Sequence, residues 1–522
     1  MQMAAEQSPV SPKSDDPLDE PVTWFRDVDR KVKHPWSIRD ACEGTQIFGA
    51  TGSGKTTGSG YHLATRMLAK GFGGLVLCAK SDEAENWRAY LKEAGRPEDD
   101  MVELVPDKGQ RFDFMDYEYQ AGGGAKLTPN LVNLFSTAIA ATGGDDRGSS
   151  TDPYWADALR QLVTNAIDLV GLANDRVRLA DVNRVIITAP QNKNIRSYLR
   201  SDAYLAQCLR RANERSIKDE LTEDERVDLE QTIEYWLSDF AALAPRTRSI
   251  VVSTFTSRVT GLLRGPLQRL FCPTDDPKPG EDSFTVKPED TRQGKVIILN
   301  LPIKDYGEVG RFAQILFKTI WQRAIERLPV APADRPVFLW ADESQYFVTN
   351  HDVLYQQTAR SKKAATVYLT QSLPNYFAML ATRDPVSATQ SLLGNLQTRI
   401  FHANGDPTTN EWAERLFGSE VALRGSKSTN RSTEREEMSF GHSVQEVREP
   451  IAPARLFTTL RKGGSLNNDQ VGAIVFQGGR AWLSGDEDDP CQMADARKAG
   501  AHLLRTWFDQ PQRKDDGASG AA

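Results

Sequence analysis

The chain has 522 residues, 39% hydrophobic and 26% charged, which excludes a single small domain and an intrinsically disordered chain and suits two soluble domains with tails. Its formal charge of −7, from 64 basic and 71 acidic residues, excludes a general polyanion-coating surface but leaves room for a local basic channel. No run approaches the roughly 18–20 apolar residues of a membrane span.

The N-terminus, MQMAAEQSPVSPKSDDPLDE, is polar and rich in Pro, Ser and Asp, without a basic-then-apolar leader pattern, so residues 1–20 read as a solvated tail. GTQIFG (44–49) is a short apolar run ending at a Gly-rich loop, followed by the helix-like TTGSGYHLATRMLAK. GGLVLCAK (73–80) is a second buried-strand run, and SDEAENWRAYLKEAG after it has a helix pattern that Ser81 can cap. Strand, loop, helix, strand is the opening of an α/β parallel sheet. From about 127 to 270 helical periodicity dominates, as in DPYWADALRQLVTNAIDLVGLA and DLEQTIEYWLSDFAALA. That length exceeds an ordinary crossover and favours an inserted all-α domain over extra helices packed on the sheet. Strand signals return at GKVIILNLP, RPVFLWADE, AATVYLTQ and LQTRIFHAN, near-continuous apolar runs that fit a sheet buried on both faces. The stretch RGSKSTNRSTEREEMSFGHSVQE is expected as an exposed loop, and GAIVFQGGRAWLSG as a hairpin turning at its Gly-Gly. The resulting division is a nucleotide domain in two segments, 21–126 and 271–508, an all-α domain at 127–270, and a second tail at 509–522. Cysteines 42, 78, 208, 272 and 491 form no CxxC pair and no zinc spacing, as expected of reduced thiols in a cytoplasmic protein.

The chemistry concentrates in three places. Gly49-Ala50-Thr51-Gly52-Ser53-Gly54-Lys55-Thr56 fits G-x-x-x-x-G-K-[ST] and lies between a predicted strand and a predicted helix. Its glycines let backbone N–H groups line a phosphate-sized nest at a helix N-terminus. The stretch 49–57, Thr57 included, is therefore expected to bind ATP, with Lys55 on the β/γ phosphates and the Thr56 hydroxyl on Mg²⁺. A buried strand then ends in Asp342-Glu343, two adjacent carboxylates that need a cation. Asp342 suits the metal, through water, and Glu343 suits polarising the water that attacks the γ-phosphate. Gln371, at the end of the following strand run, can touch the γ-phosphate or that water. Arg360, Lys362 and Lys363 precede the same strand, where a cation can complete a neighbouring subunit's site. KGQR (108–111) and RSKK (360–363) are candidate DNA contacts.

GATGSGKTT, DPYWADALRQLV, NLPIKDYGEVGRFAQILFKTIWQ, FLWADESQYF, ARSKKAATVYLTQSLPNY, LLGNLQTRIFHANGDPTTNEWAERLFG and LFTTLRKGG together resemble the VirD4/TraG/TraD-type coupling proteins of conjugation and type IV secretion, within the wider FtsK/HerA group of DNA pumps. The resemblance spans roughly residues 36–485. It implies a RecA-like P-loop domain with an inserted all-α domain that selects DNA or protein cargo, a hexameric ring, and ATP-driven movement of DNA. By motif it makes Lys55, Thr56, Asp342, Glu343 and Gln371 nucleotide-site residues. Arg360 is similar to the family's trans-acting arginine, with Arg311 the alternative. Family members usually begin with two transmembrane helices, whereas here the phosphate loop starts at Gly49. The expectation is a cytoplasmic motor without direct membrane insertion. Either a separate membrane subunit recruits it to the inner membrane, with a relaxase or secretion substrate as cargo, or it serves a mobile element or a defence system. An ATP-gated adaptor for protein substrates and a strand-separating helicase are the competing readings. The helicase ranks last for want of alternating aromatic and basic residues.

Overall fold

The computed structural model describes residues 16–106, 108–121, 128–142, 153–191, 194–273, 284–380, 382, 384–431, 438–482 and 502–511; most of the two expected tails and Cys491 lie outside them. In chain order the strands are β1 (Pro21–Arg26), β2 (Lys33–Ser37), β3 (Thr45–Phe48), β4 (Gly73–Leu77), β5 (Met101–Leu104), β6 (Gln110–Arg111), β7 (Phe284–Thr285), β8 (Val296–Leu299), β9 (Val337–Ala341) and β10 (Ala364–Thr370). β11 (Thr398–Phe401), β12 (Ser419–Arg431), β13 (Met438–Pro450), β14 (Gln470–Gln477) and β15 (Leu504–Asp509) complete the set. Nine of these form one sheet in the order β15-β14-β11-β3-β10-β9-β4-β8-β5. The seven strands from β11 to β5 run parallel, and β14 and β15 extend one edge antiparallel.

Every residue of β3, β4, β8, β9, β10 and β11 is buried, as expected of a parallel sheet covered on both faces. The pleat sends alternate side chains to opposite cores. Leu75, Leu77, Leu339, Ala341, Tyr368 and Phe401 join one core. Val76, Phe338, Trp340, Val367, Leu369 and Ile400 join the other, where the helices Tyr61–Ala69 and Glu83–Glu93 and the hairpin β1–β2 pack.

Between residues 112 and 283 the described residues form helices and no strand. The longest are Pro153–Asn174, Thr128–Thr142, Pro245–Val259 and Tyr204–Ile217. The two-residue parallel ladder β6–β7, continued by Phe112 N–H donating to Leu270 O (2.7 Å), brings the segment's entry and exit together. Its apolar side chains join the first core, where Thr128–Thr142 packs on the helix Ile303–Arg327. No helix among the described residues is long and apolar enough to cross a membrane. Cys42, Cys78, Cys208 and Cys272 are buried free thiols.

Two expectations are corrected. The polar stretch around 424–446 is not a loop, because β12 and β13 pair over thirteen residues each as an exposed antiparallel ribbon. Residues 432–437 between them lie outside the described set. Ser, Thr, Lys, Arg and Glu outnumber the few alternating apolar residues, Val421, Leu423, Met438, Phe440 and Val444, so the stretch reads as a loop; the Ser426–Ser443 hydroxyl contact (2.7 Å) and the Arg424–Glu449 ion pair tie its strands. GAIVFQGGRAWLSG is not a hairpin either. The chain does turn at Gly478-Gly479, but Trp482 goes into the core, and β14 pairs antiparallel with β11 and with the distant β15.

Candidate active site

The neighbours β3, β10, β9 and β4 end at the same edge of the sheet, and each delivers a functional side chain there. The loop 49–56 follows β3, Gln371 follows β10, Asp342 and Glu343 follow β9, and Lys80 follows β4. Parallel register does the positioning: Thr370 pairs with Phe48, and Ala341 pairs with both Tyr368 and Leu77.

The loop is built around its glycines. Gly52 and Gly54 have φ of +71° and +84°, where a side chain is strained. Nothing lies within 4 Å of a Cβ at Gly52, so the loop is open there, whereas a Cβ at Gly54 would stand 2.5 Å from Val471 Cγ2. The hydroxyl of Ser53 is buried with no partner among the described residues. Beneath the loop His402 accepts from the Ser59 hydroxyl at Nε2 (2.6 Å) while Nδ1 donates to Gly472 O (3.0 Å). Burial pushes this imidazole down to about 4, so it is a neutral strut at pH 7.

Lys55 Nζ lies 3.2 Å from Glu343 Oε1 and 3.7 Å from Asp342 Oδ1. The Thr56 hydroxyl donates to Asp342 Oδ2 at 2.9 Å. Glu343 has left-handed backbone angles (φ 53°, ψ 46°), an unusual conformation for a residue with a side chain. Gln345 Nε2 holds its Oε2 at 3.0 Å, and the Thr370 hydroxyl in turn donates to Gln345 Oε1 at 2.8 Å. Gln371 Nε2 lies 3.4 Å from both Glu343 oxygens, and its Oε1 accepts from the Thr51 hydroxyl at 3.2 Å. Burial alone would raise the Glu343 carboxyl, but Lys55, the Gln345 amide and Lys80 outweigh it and hold the group below its ordinary value. Glu343 is therefore a carboxylate at neutral pH, competent to accept a proton.

Three participants were not foreseen from sequence. Lys80 Nζ sits 3.2 Å from Asp342 Oδ2 and 3.4 Å from Glu343 Oε1, and the two carboxylates together push its ammonium up against the effect of burial. Gln345 orients Glu343, and Asn404 Nδ2 holds the Gln371 carbonyl at 2.9 Å. The run GGLVLCAK ending in a lysine was visible, but only the β4–β9 pairing puts that lysine beside Asp342. The Thr57 hydroxyl accepts from Gln510 Nε2 at 2.7 Å.

Arg360 is elsewhere. It precedes β10, so the seven residues of that strand, about 23 Å, separate it from its own phosphate loop. It is exposed and touches Glu43 Oε1 at 3.1 Å. Lys362 and Lys363 donate to backbone carbonyls at 328, 331, 332 and 334. Arg311 is buried, with its Nε on Tyr346 O at 2.7 Å, so it props the turn after Glu343. Lys108 is paired with Glu103 at 2.7 Å.

These residues fit a magnesium-bound nucleoside triphosphate. Open space at Gly52, the unpartnered Ser53 hydroxyl and the Lys55 ammonium suit phosphate oxygens. The Thr56 hydroxyl and Asp342 are the hard oxygen pair that Mg²⁺ takes alongside phosphates.

No protein-family model matches the chain, and neither does any curated protein. Solved structures do. The unbound bacterial conjugative coupling protein TrwBdeltaN70 aligns with a TM-score of 0.58 at 17% identity, over 94% of this chain and 89% of its own. Plasmid coupling protein TrwB with the ATP analogue ADPNP aligns at 0.55 and 16% identity, and TrwB with ADP and Mg²⁺ at 0.53 and 15%, each over 92% of this chain and 88% of its own. The chain thus has the fold expected, a RecA-like P-loop architecture shared with a conjugative coupling protein.

Proposed function

We propose that this chain is an ATP-hydrolysing motor of the conjugative coupling type, which assembles as a ring, most simply a hexamer, and moves DNA or a DNA–protein complex. The observation that carries the reading is the meeting of Thr56 and Asp342 (2.9 Å) and of Lys55 and Glu343 (3.2 Å) at one sheet edge, on the fold of TrwB. The loop 49–57 holds the triphosphate, and Lys55 neutralises its β/γ oxygens. Thr56 and Asp342 hold Mg²⁺, which when bound draws charge from the phosphate oxygens. Glu343 takes a proton from the attacking water, and Gln371, spanning Thr51 and Glu343, positions that water. Arg360, exposed and remote from its own loop, serves the site of the next subunit. The helices of 127–270 form the inserted domain that selects cargo, and a membrane subunit recruits the ring peripherally.

The test is steady-state ATP hydrolysis without DNA, with single-stranded DNA and with duplex, beside Glu343→Gln and Arg360→Ala. Stimulation by one polymer, lost in both variants, is expected. Hydrolysis indifferent to DNA would instead support an ATP-gated adaptor for protein substrates, and no hydrolysis in any condition would sink both readings.

A further inference from the structure

Four charged side chains meet at the site, and the two lysines differ. Lys55 is enclosed, with its side chain 8% exposed, whereas Lys80 reaches in from the end of β4 with 42% of its side chain exposed. Lys55 Nζ approaches Asp342 through Oδ1. Lys80 Nζ takes Oδ2, the same oxygen that accepts the Thr56 hydroxyl. The carboxylate oxygen suited to the metal is therefore already held by a cation tethered to the neighbouring strand.

Resting on the reading of Thr56 and Asp342 as the magnesium pair, we propose that Lys80 and the divalent cation compete for Asp342 Oδ2. Lys80 is the placeholder that keeps the carboxylate pair compensated until Mg²⁺ arrives with nucleotide. An ammonium 3.2 Å from Oδ2 stands inside the space a metal and its water shell need, and two cations drawn to one oxygen repel strongly in a partly buried site. Asp342 and Glu343 also cannot stand side by side uncompensated at 3% and 6% exposure. Lys55 cannot hold both, because a triphosphate claims it. Lys80, solvent-flanked on a flexible stem, is the cation free to leave, and on leaving it stays within reach of the phosphates whose charge the metal brings. The site is thereby biased against metal alone and toward metal with nucleotide.

The test is a titration of the full-length protein with Mn²⁺ alone, followed by electron paramagnetic resonance, for wild type, Lys80→Met, Lys80→Arg and Asp342→Asn. Binding of fluorescent ADP with Mg²⁺ runs alongside as a check on the nucleotide site itself. Lys80→Met should bind Mn²⁺ roughly tenfold more tightly than wild type, as expected for the loss of one adjacent like charge. Lys80→Arg should stay near wild type, and the tightened binding should vanish in the double variant with Asp342→Asn. Equal Mn²⁺ affinity in wild type and Lys80→Met, with fluorescent ADP still bound, would overturn the competition while leaving the nucleotide site standing. Loss of ADP binding by wild type would overturn the nucleotide reading and this inference with it.

Discussion

Behind the site lies a buried ion pair whose two halves are unequally supported, and the inequality can be tested. Lys318, on the helix Ile303–Arg327, pairs with Asp352, on the helix Asn350–Ala359, with both side chains fully buried. Besides Lys318, Asp352 accepts from Gln322 Nε2 (2.8 Å), the Tyr368 hydroxyl (2.7 Å), Thr349 N–H (2.6 Å) and the Thr349 hydroxyl (3.1 Å). Lys318 has one other acceptor, Phe347 O at 2.8 Å. Removing the lysine leaves a carboxylate with four donors, whereas neutralising the aspartate leaves a buried ammonium with one carbonyl. Asp352→Asn should therefore cost about 3–5 kcal/mol, the range for an uncompensated buried charge. Lys318→Met should cost about 1–3 kcal/mol, the range for one lost charged hydrogen bond. Burial already lowers Lys318, and without Asp352 to oppose it the amine falls further. In that variant the unfolded chain binds more protons than the folded one over the window below the unfolded lysine value, about 10.4, so stability rises with pH there. Thermal midpoints of both single variants and the double, scanned from pH 7 to pH 10, measure this. Asp352→Asn should melt lowest at pH 7 and recover toward pH 10, and the double variant should lie above it. A Lys318→Met midpoint as low as that of Asp352→Asn, or strictly additive losses in the double, would refute the argument.

Glu343→Gln keeps the shape and the Gln345 contact but removes the proton acceptor, so hydrolysis should fall by roughly 10²–10⁴-fold while fluorescent nucleotide still binds. Arg360→Ala should leave the thermal midpoint unchanged, because an exposed pair with Glu43 contributes little, yet abolish most hydrolysis. Mixing it with Glu343→Gln protein should restore part of the activity, since some junctions then pair an intact carboxylate with an intact arginine; mixtures as inactive as the separate variants would deny a shared site. Gly54→Ala should cost about 2–4 kcal/mol, from a strained φ and overpacking on the stiff, buried Val471, and it should weaken nucleotide binding. Val471→Ala should relieve part of that loss in a double variant, and an unrelieved double would place the cost in the backbone alone.

How far the fold can be read from sequence depends on burial. GLVLCA, VIILNL and VFLWA announce strands because both faces are dry, so no polar residue interrupts them. β12 and β13 fail that test for the opposite reason. Val421, Leu423 and Val444 stand exposed among Ser, Thr, Lys and Arg, so the few apolar residues at alternate positions are outnumbered by polar ones and the stretch does not read as a buried strand. The Gly478-Gly479 signal was real as a turn, but pairing is a tertiary choice, and β15 outcompeted the nearby residues for the edge of β14.

The site divides along the same line. Lys55, Thr56, Asp342 and Glu343 are legible because each sits in a motif whose residue types have few other uses. Lys80, Gln345 and Asn404 are single polar residues after strands, and such residues end most strands. What singles them out is strand order: β10 inserted between β3 and β9, with β4 on the far side of β9, turns four separated chain segments into one rim. Sequence spacing carries no trace of that order. Arg360 and Gln371, eleven positions apart, lie at opposite ends of one strand because the seven residues of β10 run between them. On the proposed reading, Gln371 serves its own subunit's nucleotide and Arg360 the next subunit's, and a ring of identical subunits is the simplest assembly that would bring the two to one nucleotide.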